Sequence, residues 1–98
     1  MNTYAILRRN GWRTPEDLEA AAIRSRRVGD EQMPDDVRWI RSYVLCEADG
    51  SLGTVCVYLA TDPEAVLRHA STAALPADEI LPVADTVIVR PDPEPALA

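Results

Sequence analysis

The spacing of apolar residues along the chain predicts four strands. An alternating, β-prone stretch over residues 2–9 is the first, and it ends where an Asn-Gly pair breaks the pattern. Two runs rich in β-branched and aromatic residues, 37–47 and 54–60, flank an Asp-Gly-Ser turn and predict a hairpin. A last extended stretch covers 79 to about 90, and Pro82 within it favours an edge position because proline cannot donate a ladder hydrogen bond.

Two helices are predicted between these strands, and both begin with the same chemistry. In Thr14-Pro15 and in Asp62-Pro63, a side-chain oxygen accepts free amide protons of the first turn while the proline presets φ. The first helix extends to about Gly29, and the second ends near residue 74 because Pro76 forbids continuation. Their inward positions recur at helical spacing: Leu18, Ala21, Ala22, Ser25 and Val28 in the first, and Ala65, Val66, Ala70 and Ala73 in the second.

The order β-α-β-β-α-β indicates a ferredoxin-like fold, an α+β architecture in which two helices cover one face of a four-stranded antiparallel sheet. With 98 residues and a hydrophobic share of 47%, the chain has the size and composition of one domain with its own core. We assign residues 1–90 to that domain. Residues 91–98, where prolines alternate with acidic residues, are expected to form a disordered tail.

Both faces of the predicted sheet are apolar, although two helices cover only one of them. Strict alternation places one set of second-strand residues on one face, namely Val37, Trp39, Arg41, Tyr43 and Leu45, and opposes it to Ile40, Val44 and Cys46. In the third strand, Val55, Val57 and Leu59 oppose Cys56 and Tyr58. The pattern provides no third helix for the second face, so we expect a homodimer that stacks two sheets, a dimeric α+β barrel.

The net charge, the hydropathy and the cysteine content limit which partners and which compartment we expect for this protein. The net charge is −6, and an acidic protein does not favour the phosphate backbone of nucleic acids. The sequence also lacks the aromatic strand signature of RNA-recognition domains, which share this topology.

Since no apolar run is long enough to span a membrane and no basic leader precedes the first strand, we expect a cytoplasmic protein. Cys46 and Cys56 lack zinc-type spacing and are expected to be buried thiols.

His69 is the only histidine and the first candidate for chemistry. One interpretation is structural, an imidazole near the helix end that bonds a neighbour and complements the helix dipole. The other is a ligand or metal contact, although no HxH or HxxxH pair supplies a second imidazole. Cys46 and Cys56 flank the hairpin turn, and a three-residue loop at 50–52 sets them opposite each other, whereas a register that differs by one residue separates them. They are either core residues or, together with an imidazole, ligands for a soft metal.

Arginine supplies every basic residue, and most arginines lie in the first half of the chain. If the first and second strands are close, four of these side chains converge at the sheet: Arg8, Arg9, Arg38 and Arg41. Arg41 is the most informative because it alternates with Trp39 and Tyr43 on an apolar side. A guanidinium there either pairs with a carboxylate across the dimer or binds an anionic ligand beside the aromatic rings.

A longer pattern covers residues 37–83: a strand with tryptophan and Ser-Tyr (VRWIRSYV), a cysteine before an aromatic strand residue (VCVY), a helix start and histidine (TDPEAVLRHA), and LPADEI. This pattern resembles the core of a family of small bacterial ferredoxin-like dimeric proteins of unknown function that includes nickel-binding members. The resemblance implies a dimer and nickel as a cofactor, with His69 as a metal ligand and Cys56 at a matching position. Nickel-binding members carry histidines just after the first strand, where this chain has Arg8-Arg9-Asn10.

Three functions remain open at this point. The first is a non-enzymatic dimer that binds a metal or a small ligand, with five contact residues: Trp39, Arg41, Tyr43, Cys56 and His69. The second is a cofactor-free enzyme of the dimeric α+β barrel type, with His69 as general base in a pocket between sheet and helices. The third is an accessory subunit that acts by protein contact. Because the sequence offers no nucleophile–base pair and no phosphate-binding loop, we do not favour the enzyme.

Overall fold

The structure, a computed structural model, describes residues 1–95 and has the predicted ferredoxin-like fold. Its elements in chain order are β1 (Asn2–Trp12), α1 (Pro15–Arg27), β2 (Val37–Cys46), β3 (Leu52–Ala60), α2 (Pro63–Ala73) and β4 (Glu79–Pro82). A π-helical turn at Val28–Gln32 follows α1. The strand order in the sheet is β2-β3-β1-β4, and every neighbouring pair is antiparallel. Of the helices described, neither is long and apolar enough to cross a membrane.

Both helices start with the predicted caps. Thr14 Oγ1 accepts the backbone N–H of Asp17 at 3.1 Å, and Asp62 Oδ1 accepts that of Ala65 at 2.8 Å. The end of α2 is a left-handed residue, Ala74, with φ of 56°. This conformation turns the chain out of the helix, two residues before the proline that was expected to stop it.

The two helices cover one face of the sheet, which is called the covered face below. All four predicted inward residues of α2 are buried: Ala65, Val66, Ala70 and Ala73. Two of them, Ala65 and Val66, belong to one core cluster with buried strand residues, namely Tyr4, Ile6, Val37, Cys56, Tyr58 and Ala60. In α1, Leu18 and Ala22 are only half-buried, in contrast to Ala21 and Ser25. The first helix therefore packs less tightly than the second.

A β-bulge in β2 contradicts the strict alternation expected of that strand. The pairing with β3 shifts between Trp39, which faces Tyr58, and Arg41, which faces Val57. Ile40 is the additional residue, and an additional residue moves every later side chain to the other face. Trp39 therefore lies on the covered face while Arg41 and Tyr43 lie on the opposite one. The prediction that these three side chains share one face was wrong.

The face turned away from the helices, called the open face below, is aliphatic at its centre. Its half-buried side chains come from the two central strands: Ala5, Leu7, Val55, Val57 and Leu59. Tyr43 and Leu81 flank them and are exposed. The described residues supply no helix or strand that covers this face, and Asp92, in the segment after β4, contacts Arg41 and Tyr43 on it. The sheet therefore has two apolar faces, as the sequence predicts, and the helices cover one of them.

β4 is an edge strand containing Pro82, as predicted, but it is much shorter than predicted. Its ladder ends with the pair of Pro82 and Tyr4, and one further backbone hydrogen bond follows, from Val83 N–H to the Thr3 oxygen, close to the start of β1 at Asn2. Val87, Ile88 and Val89 are therefore outside any strand and more than three quarters exposed. The predicted tail, 91–98, extends past the described residues, and its last three positions lie outside them.

Candidate functional site

A cavity of about 350 Å³ lies between α1 and the covered face. The half-buried Leu18 and Ala22 form part of its helix wall, which explains why they are less buried than their neighbours. The sheet wall contains both tryptophans of the chain, Trp12 and Trp39, together with several polar side chains. An apolar cavity of this size with a few convergent polar groups has the usual form of a small-molecule site.

Arg8 is the charged group of the sheet wall, and it is 1% exposed. It alternates with Tyr4 and Ile6 along β1, so the strand itself directs the guanidinium to the covered face. Nη1 donates a hydrogen bond to the carbonyl oxygen of Pro76. Nη2 is buried and has no hydrogen-bond partner in the described part of the chain. The guanidinium carbon lies 5.9 Å from the centre of the Tyr58 ring, within reach of a cation–π interaction.

A chain of hydrogen bonds crosses the sheet wall. Trp39 Nε1 donates to Ser42 Oγ at 2.8 Å, and Ser42 Oγ donates to Cys56 Sγ at 3.0 Å. Cys56 Sγ in turn donates to Thr54 Oγ1 at 3.3 Å. The ring of Trp39 stacks against Tyr58, with centroids 6.2 Å apart. These contacts fix Trp39 and Cys56, two of the predicted ligand contacts, as ordered parts of the cavity wall.

The Tyr58 hydroxyl lies at the side of the cavity formed by α1. It shares a hydrogen bond of 2.7 Å with Ser25 Oγ, and both residues belong to the wall. Burial is the main reason that the pKa of Tyr58 is raised above its ordinary value. The hydroxyl is therefore protonated at neutral pH and serves as a hydrogen-bonding group.

His69 is completely buried on α2, beside Tyr58, and the cavity wall does not include it. Its Nε2 lies 2.9 Å from the backbone oxygen of Ser25; since a carbonyl oxygen only accepts, the proton is on Nε2. The ring meets Tyr58 edge-on, with centroids 5.2 Å apart. Burial, followed by the positive charge of Arg8, lowers the pKa of His69 and keeps the imidazole neutral. These contacts join α2 to the end of α1.

The two cysteines occupy different environments. Cys56 is buried as predicted, whereas Cys46 is exposed, so that half of the prediction was wrong. They do not face each other, because Cys56 pairs with Ser42 and Cys46 pairs with Leu52. The hairpin loop, residues 47–51, is centred on Asp49, whereas the opposed arrangement requires a turn centred on Ser51. The bulge at Ile40 does not contribute, since it precedes both pairs.

The four arginines expected near the sheet do not converge. Arg8 is buried on the covered face, whereas its neighbour Arg9 is exposed and forms an ion pair with Glu47 at 2.9 Å. Arg38 and Arg41 lie on the open face, where Arg41 pairs with Asp92 of the same chain at 2.5 Å. The Tyr43 hydroxyl also donates to Asp92, at 2.9 Å. Arg41 therefore has its carboxylate partner within the subunit.

The structure distributes the five predicted contact residues over three places. Trp39 and Cys56 share the cavity wall, Arg41 and Tyr43 share the open face, and His69 joins the helices. Sequence reasoning missed Arg8 as a cavity residue. The available signal was its place in the alternation Tyr4-Ile6-Arg8, which assigns a charged residue to a buried face.

A nickel ion does not fit the residues of one subunit. The described residues contain no group of three or more His, Cys, Asp or Glu side chains placed to hold a metal. The Nε2 atom of His69 is engaged with Ser25, Nδ1 is buried without a hydrogen-bond partner among the described residues, and the positive charge of Arg8 acts on the ring. The Cys56 thiol is part of the Ser42–Thr54 hydrogen-bond chain. A cation is therefore disfavoured in this part of the covered face.

The family described as nickel responsive protein SCO4226-like matches residues 4–83 of this chain. The chain belongs to the SCO4226-like family. This confirms the family resemblance seen in the strand, hairpin and helix-start pattern. The crystal structure of SCO4226 from Streptomyces coelicolor A3(2) is similar, with a TM-score of 0.70 and 21% identity over 87% of this chain and 99% of that chain. At that identity, the similarity to SCO4226 establishes the fold. No curated protein matches the chain.

Proposed function

We propose that this protein is a non-enzymatic homodimer that binds a small organic molecule in the cavity between α1 and the sheet. The observation that supports this most directly is the cavity itself, about 350 Å³ in volume and walled by both tryptophans. Around these apolar walls stand the hydroxyls of Ser42, Thr54 and Tyr58 and the guanidinium of Arg8. Such a site provides apolar contact area for a ligand and a few polar groups that orient it.

Binding in the cavity is tested by calorimetric titration with two aromatic probes of the same shape, 2-naphthoate and 2-naphthamide. We expect at least one of them to bind. The variant Ala22→Leu adds volume to the helix wall and is expected to weaken binding about tenfold or more. Ala20→Leu is the matched control, because Ala20 is exposed on the same helix and is not part of this wall. Absence of heat with both probes contradicts the proposal.

The dimer is proposed from the open face. Five aliphatic side chains at its centre remain half-buried in one subunit, and both α-helices pack on the other face. Stacking the open faces of two subunits about a twofold axis removes these side chains from water at a typical sheet spacing of about 10 Å. Sedimentation at micromolar concentration is expected to give a dimer. A stable monomer at that concentration overturns this part of the proposal.

We propose an organic ligand in preference to nickel for this member of the family. Nickel responsiveness belongs to the description of the family, but the residues described for one subunit do not form a metal-binding set. Metal analysis of protein purified without a histidine tag is expected to find less than one nickel ion per dimer. One tightly held nickel per subunit, lost in His69→Gln, contradicts this expectation and restores the metal interpretation.

We place the protein in the cytoplasm. Both cysteines in the described structure are free thiols, and one of them is exposed. An exposed free thiol persists in a reducing compartment and is prone to oxidation outside it. Fractionation of producing cells is expected to recover the protein with cytoplasmic markers; recovery with secreted or periplasmic proteins contradicts the assignment.

A further inference from the structure

We infer that the ligand of the cavity is an organic acid with a single carboxylate and an apolar body, and that Arg8 binds the carboxylate. This inference depends on the proposed function, because it assigns a chemical class to the molecule that the cavity holds. The juxtaposition that supports it is a buried guanidinium with an unused nitrogen in the wall of an otherwise apolar cavity.

Arg8 has a charge and a donor that the protein leaves uncompensated. None of the ion pairs among the described residues includes it, and its hydrogen bond to Pro76 is made to a neutral carbonyl. Its Nη2 is buried and unpartnered within the described chain. A buried charge without a counter-ion destabilises the fold, and so does a buried donor without an acceptor. A bound carboxylate supplies both the missing charge and the missing acceptor.

Thr54 is placed to support the same carboxylate. It lies directly opposite Arg8 in the pairing of β1 with β3, and both side chains belong to the cavity wall. Its Oγ1 accepts the Cys56 thiol proton, and the hydroxyl's own proton has no acceptor among the described residues. Thr54 as a whole is 3% exposed. A carboxylate between these two residues accepts one hydrogen bond from each.

The charges of the wall favour a monoanion. Arg8 is the one basic residue in the cavity wall formed by the described part of the chain, so it balances a single negative charge. Glu19 is the one acidic residue in that wall and is exposed on α1, so water solvates its charge. The remaining wall is formed largely by Trp12, Leu18, Trp39 and other apolar groups, which select an apolar body. A dianion leaves one charge unpaired inside the protein, and a cation meets Arg8 directly.

The full-length wild-type protein tests this class directly. 2-Naphthoate and 2-naphthamide have nearly the same shape and differ in charge, so their dissociation constants isolate the contribution of the carboxylate. We expect naphthoate to bind about tenfold more tightly or better, because hydrogen bonds to charged groups are stronger than neutral ones. 2-Naphthylmethylammonium is expected to bind more weakly than both.

Arg8→Gln is expected to remove the preference for naphthoate, so that the ratio of the two dissociation constants falls to about one. Arg9→Gln is the matched control, because Arg9 is the adjacent arginine and points to solvent beside Glu47. If Arg8→Gln does not fold, the inference is tested by the ratio of the two dissociation constants in the wild type and in the near-isosteric variant Thr54→Val. We expect Thr54→Val to reduce the preference for naphthoate by about threefold or more.

The outcomes separate the inference from the proposed function. If neither probe binds, the cavity is not a ligand site and both proposals fail. Equal binding of the two probes, or tighter binding of the amide or the ammonium, overturns the carboxylate while the cavity remains a binding site. A preference for naphthoate that survives in folded Arg8→Gln overturns the assignment of Arg8.

Discussion

The covered face and the open face of the sheet belong to the same strands but differ in chemistry. The covered face combines apolar side chains with Arg8, Thr54 and a hydrogen-bonded thiol, all of them buried. The open face is aliphatic at its centre, and its charged residues are exposed at the periphery. Polar groups under the helices are suited to orienting a ligand, whereas a flat aliphatic surface is suited to packing against a copy of itself. This difference is the basis on which we propose ligand binding at one face and assembly at the other.

The largest effect is expected from a charge placed on the open face. Val55→Asp introduces a carboxylate between Leu7 and Tyr43, its neighbours on the adjacent strands. A twofold dimer buries two such charges without partners, so we expect about 4 kcal/mol of lost association energy, on the order of a thousandfold in the dimer dissociation constant. Analytical ultracentrifugation measures this shift. Leu67→Asp is the control, because Leu67 is 51% exposed on α2 and is expected to leave the dimer intact. Dissociation by Leu67→Asp and not by Val55→Asp moves the interface to the helices.

The second effect compares two neighbouring residues on opposite faces of β1. Ile6 is 0% exposed on the covered face, and Ile6→Ala is expected to lower the free energy of unfolding by about 3 kcal/mol at every protein concentration. Leu7 is half-buried on the open face. Leu7→Ala is expected to cost less than Ile6→Ala in dilute protein, where the monomer dominates, and to approach it in concentrated protein, since association stabilises the folded subunit. Urea unfolding at several protein concentrations measures both. A loss for Leu7→Ala that does not change with concentration contradicts the dimer.

Most of the fold follows from local patterns in the sequence. Thr14-Pro15 and Asp62-Pro63 predict both helix starts, and the structure confirms both caps. The hairpin and the edge position of Pro82 follow from turn chemistry and from the missing amide proton of proline. The bulge at Ile40 was not predicted, because an added residue in a strand of β-branched and aromatic side chains leaves no mark in composition.

The candidate site was much harder to predict. Trp39 and Cys56 were named as contacts, but the bulge separates Trp39 from Arg41 and Tyr43, and so the predicted surface does not exist as one patch. The cavity depends on how closely α1 approaches the sheet, a distance between elements that no sequence spacing encodes. Arg8 was grouped with Arg9, Arg38 and Arg41 as side chains that could converge at the sheet, and of these four the structure buries only Arg8. Only the alternation along β1 distinguishes Arg8 from Arg9.

The third effect concerns pH on the covered face. Burial lowers the pKa of His69 from its ordinary 6.5, so the unfolded chain takes up a proton at a higher pH than the folded protein. The contribution of neutral His69 to the free energy of unfolding is therefore fully present above about pH 6.5 and decreases as the pH falls below that value. The carboxylate of Glu47, whose pKa is lowered by hydrogen bonds from Arg9, affects stability only below about pH 4.5.

The variant His69→Gln isolates this effect, because a glutamine amide can replace the Nε2 donor to Ser25 without titrating. Between pH 7.5 and pH 5.5 we expect the melting temperature of the wild type to fall more than that of His69→Gln. Equal losses for the two proteins contradict a buried neutral imidazole as the source of the acid sensitivity.

The smallest effect is expected at the edge of the open face. Asp92 joins Arg41 and Tyr43 through its carboxylate, but the Arg41 and Asp92 side chains are 51% and 44% exposed. Exposed ion pairs contribute little to stability, so Asp92→Asn is expected to shift the melting temperature by about 2 °C or less in 0.15 M salt. Glu47→Gln is the variant to compare with Asp92→Asn. The Glu47 side chain is 5% exposed, and its carboxylate accepts hydrogen bonds from both Arg9 and the backbone of Asn10. We expect Glu47→Gln to lower the melting temperature more than Asp92→Asn does. If Asp92→Asn lowers the melting temperature more than Glu47→Gln does, Asp92 holds residues 83–92 against the open face. That segment then competes with a second subunit for the same aliphatic surface.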